Sequence, residues 1–142
     1  MTLRSARLLA WAQRIAAVLV ALFWVSFLSE YKQLPPEMVD FEWSFIVPDL
    51  LWIVAPFLVA SHWLLTGNRK GRAATAVAGG AMVYLGLLDV AYNARHGQYA
   101  TARGLLDASV NLACLLFGAM NIWFGLRDEN TTSGGRGSEK CR

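Results

Sequence analysis

Four carboxylates stand out because each lies at or just inside the edge of an apolar segment, where charge is otherwise scarce. They are Glu30, Asp49, Asp89 and Asp107. A carboxylate near hydrocarbon is costly, and such groups usually face the interior of a helix bundle and mark a site. Ionised carboxylates that lie close together also repel one another and attract protons, metal cations or a cationic ligand. The sequence therefore points first to an acidic site.

Four apolar segments carry these side chains. A helix needs about 20 mostly apolar residues to cross the hydrocarbon, and such segments occupy residues 8–29, 48–66, 73–92 and 104–126. The chain is 56% apolar and only 16% charged, whereas soluble domains carry about 25% charged residues. We therefore predict an all-α membrane protein, in which residues 1–126 form one domain of four transmembrane helices in an antiparallel bundle.

The basic residues predict the orientation of this bundle. Ten of the thirteen lie in the N-terminal flank, in the loop between the second and third helices, or in the C-terminal tail. The positive-inside rule then places both termini in the cytoplasm of a multi-pass cell-membrane protein. The polar, Gly- and Ser-rich residues 127–142 predict a disordered cytoplasmic tail. The acidic outer loop, residues 29–47, contains Pro35 and Pro36, which are expected to stiffen a turn at headgroup level.

In this topology all four carboxylates meet at the outer end. With a rise of about 1.5 Å per residue, Asp49, Asp89 and Asp107 lie within about 5 Å of the outer boundary. Aromatic and amide side chains recur beside them at helical spacing, and Tyr84 is expected as a further pocket wall. The predicted ligand-binding residues are Asp89, Asp107, Asn111, Tyr92, Asn93, Asp49, Trp52 and Glu30.

Helices three and four carry further packing signals. Helix three is rich in Ala and Gly, which permit close backbone approach and predict either a central helix or a contact between copies of the chain. Helix four carries a stripe of polar and small residues that is expected to face the interior. This stripe comprises Asp107, Asn111, Cys114, Gly118 and Asn121. On helix two, Pro56 is expected to cause a kink.

The same polar layer has a structural interpretation. Asp49 and Asp107 stand at helix starts, where a carboxylate caps free N–H groups and meets the favourable end of the helix dipole. Asp89 could pair with Arg95 or Arg103 and so clamp two helices together. However, Asp89 lies near a helix C-terminus, where the dipole disfavours a carboxylate. It is therefore the strongest candidate for a functional acid.

Three functions fit these observations. The protein could bind a cationic or amphipathic ligand in an outward-facing acidic pocket, could serve as a structural or accessory membrane subunit, or could act as an enzyme on a lipid- or sterol-type substrate. The expected partners are the lipid bilayer, a small cationic or lipid-like ligand, and a second copy or another membrane protein. No nucleic acid, cofactor or metal is expected, since no nucleotide or zinc motif occurs and His62 and His96 lie near opposite ends.

The predicted topology can be tested by labelling. With Cys114 and Cys141 replaced by Ser, Asp40→Cys should react with a membrane-impermeant maleimide in intact cells, because residue 40 lies in the outer loop. Lys70→Cys is the control and should react only after the membrane is permeabilised. Labelling of Lys70→Cys but not Asp40→Cys in intact cells would reverse the orientation.

Overall fold

A computed structural model describes residues 3–34, 36–101 and 104–127, and these residues fold almost entirely into helices. No strand occurs within these ranges. The predicted tail, apart from Arg127, lies outside them, as do Pro35 and Arg103. The α-helices are α1 (Leu3–Glu30), α2 (Pro36–Trp43), α3 (Ile46–Pro48), α4 (Ala55–Leu65), α5 (Lys70–Arg95) and α6 (Gly104–Leu126).

Four helical stretches are long and apolar enough to cross a membrane. The prediction of an all-helical protein with four such segments is therefore confirmed. The fourth segment has the predicted bounds, whereas the other three begin earlier than predicted. The four stretches are Arg4–Gln33, Val39–Leu65, Lys70–Arg95 and Gly104–Leu126.

The segment predicted as an irregular outer loop is largely helical. Pro36 begins α2, where its missing N–H costs nothing. Aromatic contacts then hold α2 against two other helices: the Phe41 ring stacks on Tyr92 of α5 at 3.6 Å between centroids, and Trp43 meets Phe27 of α1 edge-on at 6.1 Å. These aromatic residues of the predicted loop thus pack on neighbouring helices.

A π-helical turn, Asp49–Val54, joins α3 to α4. Pro56 follows at once, in the first turn of α4, and it has no N–H to donate to a carbonyl in the preceding turn. A π-turn is one of the recognised irregularities by which a helix accommodates such a disruption. The sequence predicted a kink at Pro56, and the structure places a widened turn directly before it.

The closest helix packing joins α5 and α6 through glycine. A Cβ added at Gly79 would lie 2.6 Å from the carbonyl oxygen of Gly118, and one added at Gly125 would lie 2.6 Å from that of Arg72. Between apolar helices in lipid, such close van der Waals packing is a main source of association. α4 packs on α5 and α1 packs on α4. The apolar core between them comprises Ala17, Ile53, Phe57, Ala78 and Met82.

This contact predicts a difference between two adjacent glycines. Gly79→Ala should lower the free energy of unfolding in detergent by roughly 1–3 kcal/mol, because the added methyl group would overlap the backbone of α6. Gly80→Ala is the matched control, since a Cβ there meets nothing within 4 Å, and it should leave stability unchanged or raised. Equal effects of the two substitutions, measured by thermal unfolding, would contradict this packing.

Candidate functional site

Asp49 is held inside the protein by a tryptophan. Its side chain is only 6% exposed, and its Oδ2 accepts a hydrogen bond from Trp24 Nε1 of α1 at 3.1 Å. Its other oxygen, Oδ1, is buried and has no hydrogen-bond partner. A carboxylate that receives one neutral hydrogen bond and has a second oxygen unsatisfied retains strong capacity to accept a donor.

Two further carboxylates complete what we call the acidic layer, consisting of Glu42, Asp49 and Asp89. Glu42 of α2 and Asp89 of α5 are partly buried, and Asp89 lies close enough to act electrostatically on both Glu42 and Asp49. Among the described residues no cationic side chain pairs with Asp89; the predicted partner Arg95 is exposed. Within the described ranges, the acidic layer thus brings three carboxylates together without a basic side chain paired to Asp89.

Only two of the four carboxylates singled out from the sequence belong to the acidic layer. Glu30 is exposed at the end of α1. Asp107 is partly buried in the first turn of α6, but it is not among the charges that act on Glu42 or Asp49. The third member of the acidic layer is Glu42, which was not singled out from the sequence. No regular helical spacing marked it in the sequence, because a turn at Ser44 and Phe45 separates α2 from α3 and Asp49.

Two aromatic residues expected to wall the site lie elsewhere. Trp52 is 65% exposed and Tyr84 is 66% exposed, so the structure does not bring either ring into the interior beside Asp49. For Trp52 the cause is the π-turn, because its wider turn rotates each residue through a smaller angle and moves Trp52 off the face of Asp49.

Other aromatic residues lie near the acidic layer and cover this end of the protein. Tyr92 stacks on Phe41 of α2 and lies 4.1 Å from the His96 ring, between centroids. Trp24, which binds Asp49, also packs edge-on against Phe27 at 5.4 Å between centroids. Tyr31 contacts both Phe27 and Trp43, and so extends this group of aromatic rings. α2, which carries Glu42 of the acidic layer, is therefore packed against α1 and α5 through aromatic contacts.

The predicted amides have different surroundings. Asn111 is buried, and its Nδ2 donates to the Tyr99 hydroxyl at 2.8 Å, which ties α6 to the short 3-10 turn Gln98–Ala100. Asn93 is partly buried on α5. Of the polar stripe on α6, Asn111, Gly118 and Asn121 are buried, while Asp107 and Cys114 are partly buried. Asn111 is thus already engaged in a contact that holds a loop.

A second polar group, which we call the amide layer, consists of Gln13, Thr75 and Asn121. Gln13 Nε2 donates to Thr75 Oγ1 at 3.1 Å and to Asn121 Oδ1 at 2.7 Å, and so links α1, α5 and α6. All three side chains are fully buried, and Gln13 Oε1 has no partner. The sequence reasoning missed Gln13, although an amide inside an apolar segment was a usable signal.

The chemistry available at the acidic layer is binding of positive charge. Among the described residues, no group of His, Cys, Asp or Glu has the arrangement of a metal site. The carboxylates lie beside aromatic rings and above the apolar core, which suits an organic cation better than a hydrated ion. No nucleophile paired with a base accompanies them in the part of the chain that the structure describes.

The Trp24–Asp49 hydrogen bond predicts a clear stability effect. Trp24→Phe should lower the free energy of unfolding in detergent by roughly 1–3 kcal/mol, because it leaves a buried carboxylate without its donor. Trp52→Phe, at an exposed position, is the control and should change it by less than about 0.5 kcal/mol. A loss for Trp24→Phe no larger than that for Trp52→Phe would contradict a stabilising hydrogen bond from Trp24 to Asp49.

Comparison with known proteins does not add to this description. The chain matches no protein-family model, no curated protein and no solved structure. The case for a function therefore rests on its own side chains: the buried carboxylate of Asp49, its tryptophan donor, and the two acids beside it.

Proposed function

We propose that this protein binds an amphipathic organic cation at the acidic layer. The observation that carries the proposal is the state of Asp49, which is buried, bonded to Trp24 through one oxygen and unpartnered at the other. A protonated amine would supply both the missing hydrogen bond and the missing positive charge. The carboxylates of Glu42 and Asp89 would share in neutralising that charge.

The electrostatic argument rests on desolvation. Removing a carboxylate from water costs several kcal/mol, and a partner charge recovers that cost only when it lies close with good geometry. The acidic layer has three carboxylates in mutual reach and no ion pair with a described basic side chain. A bound cation would relieve the repulsion among them. It would also offset the cost of burying each carboxylate, which is the larger of the two effects on these groups.

The surroundings favour a ligand with an apolar portion. Aromatic faces attract ammonium groups by cation–π interaction, worth about 0.5–2 kcal/mol each. Such faces lie beside the acidic layer, where Phe41 stacks on Tyr92 and Trp24 packs on Phe27. Below them lies the apolar core around Ile53. An amine attached to an aromatic or alkyl group would match this spatial order of polar, aromatic and apolar surfaces.

The proposal includes a topology. Along α5 and α6, Gly79 meets Gly118 and Gly86 meets Leu115, so the contacts run in opposite order, which supports an antiparallel bundle. The uneven distribution of basic residues supports cytoplasmic termini in the cell membrane. In that orientation the acidic layer opens toward the outer side, and the ligand arrives from there beneath α2.

A second function is favoured by a separate observation. The amide layer joins three helices through buried hydrogen bonds, and Asn111 ties α6 to a loop through Tyr99. Interhelical hydrogen bonds of this kind contribute about 0.6 kcal/mol each in membranes and fix the register of the helices. These contacts suit a structural or accessory membrane subunit, whose polar groups serve packing alone.

Ligand binding and packing are separated by Asp89→Asn. In protein purified into nanodiscs, phenethylammonium should raise the unfolding temperature of the native chain. Asp89→Asn should reduce that rise by at least half, and the variant should remain folded without ligand. Asp107→Asn is the control on another helix and should retain the shift. Phenethyl alcohol, which is the same size without the charge, should produce little shift in any variant.

Two results would contradict cation binding. The first is an equal shift from phenethylammonium and phenethyl alcohol, which would show that the carboxylates are not involved. The second is no shift in the native chain while Asp89→Asn lowers the unliganded unfolding temperature, which is the expectation for a packing role. Phenethyltrimethylammonium tests the hydrogen bond to Asp49 separately, because it carries the charge but has no N–H.

A further inference from the structure

The end of the protein opposite the acidic layer is basic. Arg14 Nε of α1 donates to Ser61 Oγ of α4 at 3.4 Å, and Arg72 Nη2 of α5 donates to the Phe124 carbonyl of α6 at 3.3 Å. All four long helices thus meet here, beside the amide layer. We call this the basic end. Its described basic residues are Arg4, Arg7, Arg14, Arg69, Lys70, Arg72 and Arg127.

Two apolar depressions lie on the outward faces of α1 and α6 at this end. The one on α6 is open to its surroundings, has a volume of about 400 Å³ and is lined by Ala119, Ile122, Trp123, Leu126 and Arg127. The one on α1 is also open, has a volume of about 240 Å³ and is lined by Trp11, Arg14, Ile15, Val18 and Leu19. Each combines an aliphatic floor with one tryptophan and one arginine.

The tryptophan and arginine are paired in both depressions. The Arg127 guanidinium lies over the Trp123 ring at 4.5 Å from the centroid, and the Arg14 guanidinium lies over the Trp11 ring at 5.0 Å. A guanidinium has five N–H donors, and contact with an indole ring does not use them up, so each arginine keeps donors for a phosphate. Tryptophan itself favours the interface between hydrocarbon and headgroups.

We propose that the basic end binds anionic phospholipid, with an acyl chain in each apolar depression and the headgroup phosphate on Arg127 or Arg14. The apolar floor accounts for the chain, and the stacked arginine accounts for the phosphate. The other basic residues at this end raise the local concentration of anionic lipid, since each contributes attraction to a negative leaflet surface. The proposal is independent of cation binding at the acidic layer.

The shape of the depressions favours a lipid over a free anion. Both lie on apolar, exposed faces: Leu126 is 70% exposed and Val18 is 54% exposed. A free phosphate would gain only the arginine, whereas a phospholipid would also cover the aliphatic surface. A zwitterionic lipid would cover the same surface, but its choline group would carry a positive charge toward a basic end. We therefore expect the basic end to select phospholipids that carry a net negative charge.

The test measures lipid binding to the full chain by native mass spectrometry. Dioleoylphosphatidylglycerol should bind more tightly than dioleoylphosphatidylcholine. Arg127→Gln should weaken phosphatidylglycerol binding about fivefold, as expected for removal of one charge near the surface, and Arg14→Gln should act similarly. Arg95→Gln is the matched control, because Arg95 is an exposed basic residue at the other end, and it should leave lipid binding unchanged.

Three outcomes would overturn the proposal. One is equal affinity for the two lipids in the native chain. Another is equal weakening by Arg95→Gln and Arg127→Gln, which would show an effect of net charge and not of a site. The last is full displacement of phosphatidylglycerol by millimolar inorganic phosphate, which would identify a free-anion site. Trp123→Leu is a second variant that separates lost binding from misfolding. It should weaken phosphatidylglycerol binding, while its unfolding temperature should stay near that of the native chain.

Discussion

The close approach of Gly79 and Gly118 is the contact on which the interior depends. With hydrogen as the side chain on both helices, the backbones of α5 and α6 come near enough that Asn121 lies directly against Gly79. Thr75, one turn away on α5, then reaches the same level as Asn121, and Gln13 of α1 bonds both. A larger side chain at Gly79 would separate the two acceptors that Gln13 needs. The hydrogen-bonded link from α1 to α5 and α6 thus depends on a backbone contact between those two helices.

At the other end the structure has to accommodate acids beside apolar surface. Trp24 supplies one neutral hydrogen bond to Asp49, which meets part of the cost of burial and leaves Oδ1 unsatisfied. The π-turn at Asp49–Val54 sets the direction of this side chain and turns Trp52 outward. Irregular turns of this type inside helices are frequently found at functional sites. Packing alone would be better served by a regular turn and an apolar residue.

The sequence predicted the large features because they depend on composition. Uninterrupted apolar length revealed the four helices, and the bounds of α6 were predicted to the residue. Two of the failures share one cause, which is local helix geometry near proline. Reading Pro35 and Pro36 as the end of helical structure concealed α2, which carries Glu42. Assuming a regular helix around Pro56 placed Trp52 beside Asp49. Gln13 was missed because its partners lie on distant helices.

The two ends carry opposite charge, and their separation decides whether they act together. Trp24 and Gln13 are 11 residues apart on α1, or about 16 Å at 1.5 Å per residue. The apolar core around Phe57 and Met82 lies between them. At that distance two unit charges interact by about 1 kcal/mol for an effective dielectric constant of 20. Filling the acidic layer with a cation would therefore alter the field at Arg14 only slightly. Strong coupling between the two ends would require a movement of the helices, and the glycine contact between α5 and α6 opposes such a movement.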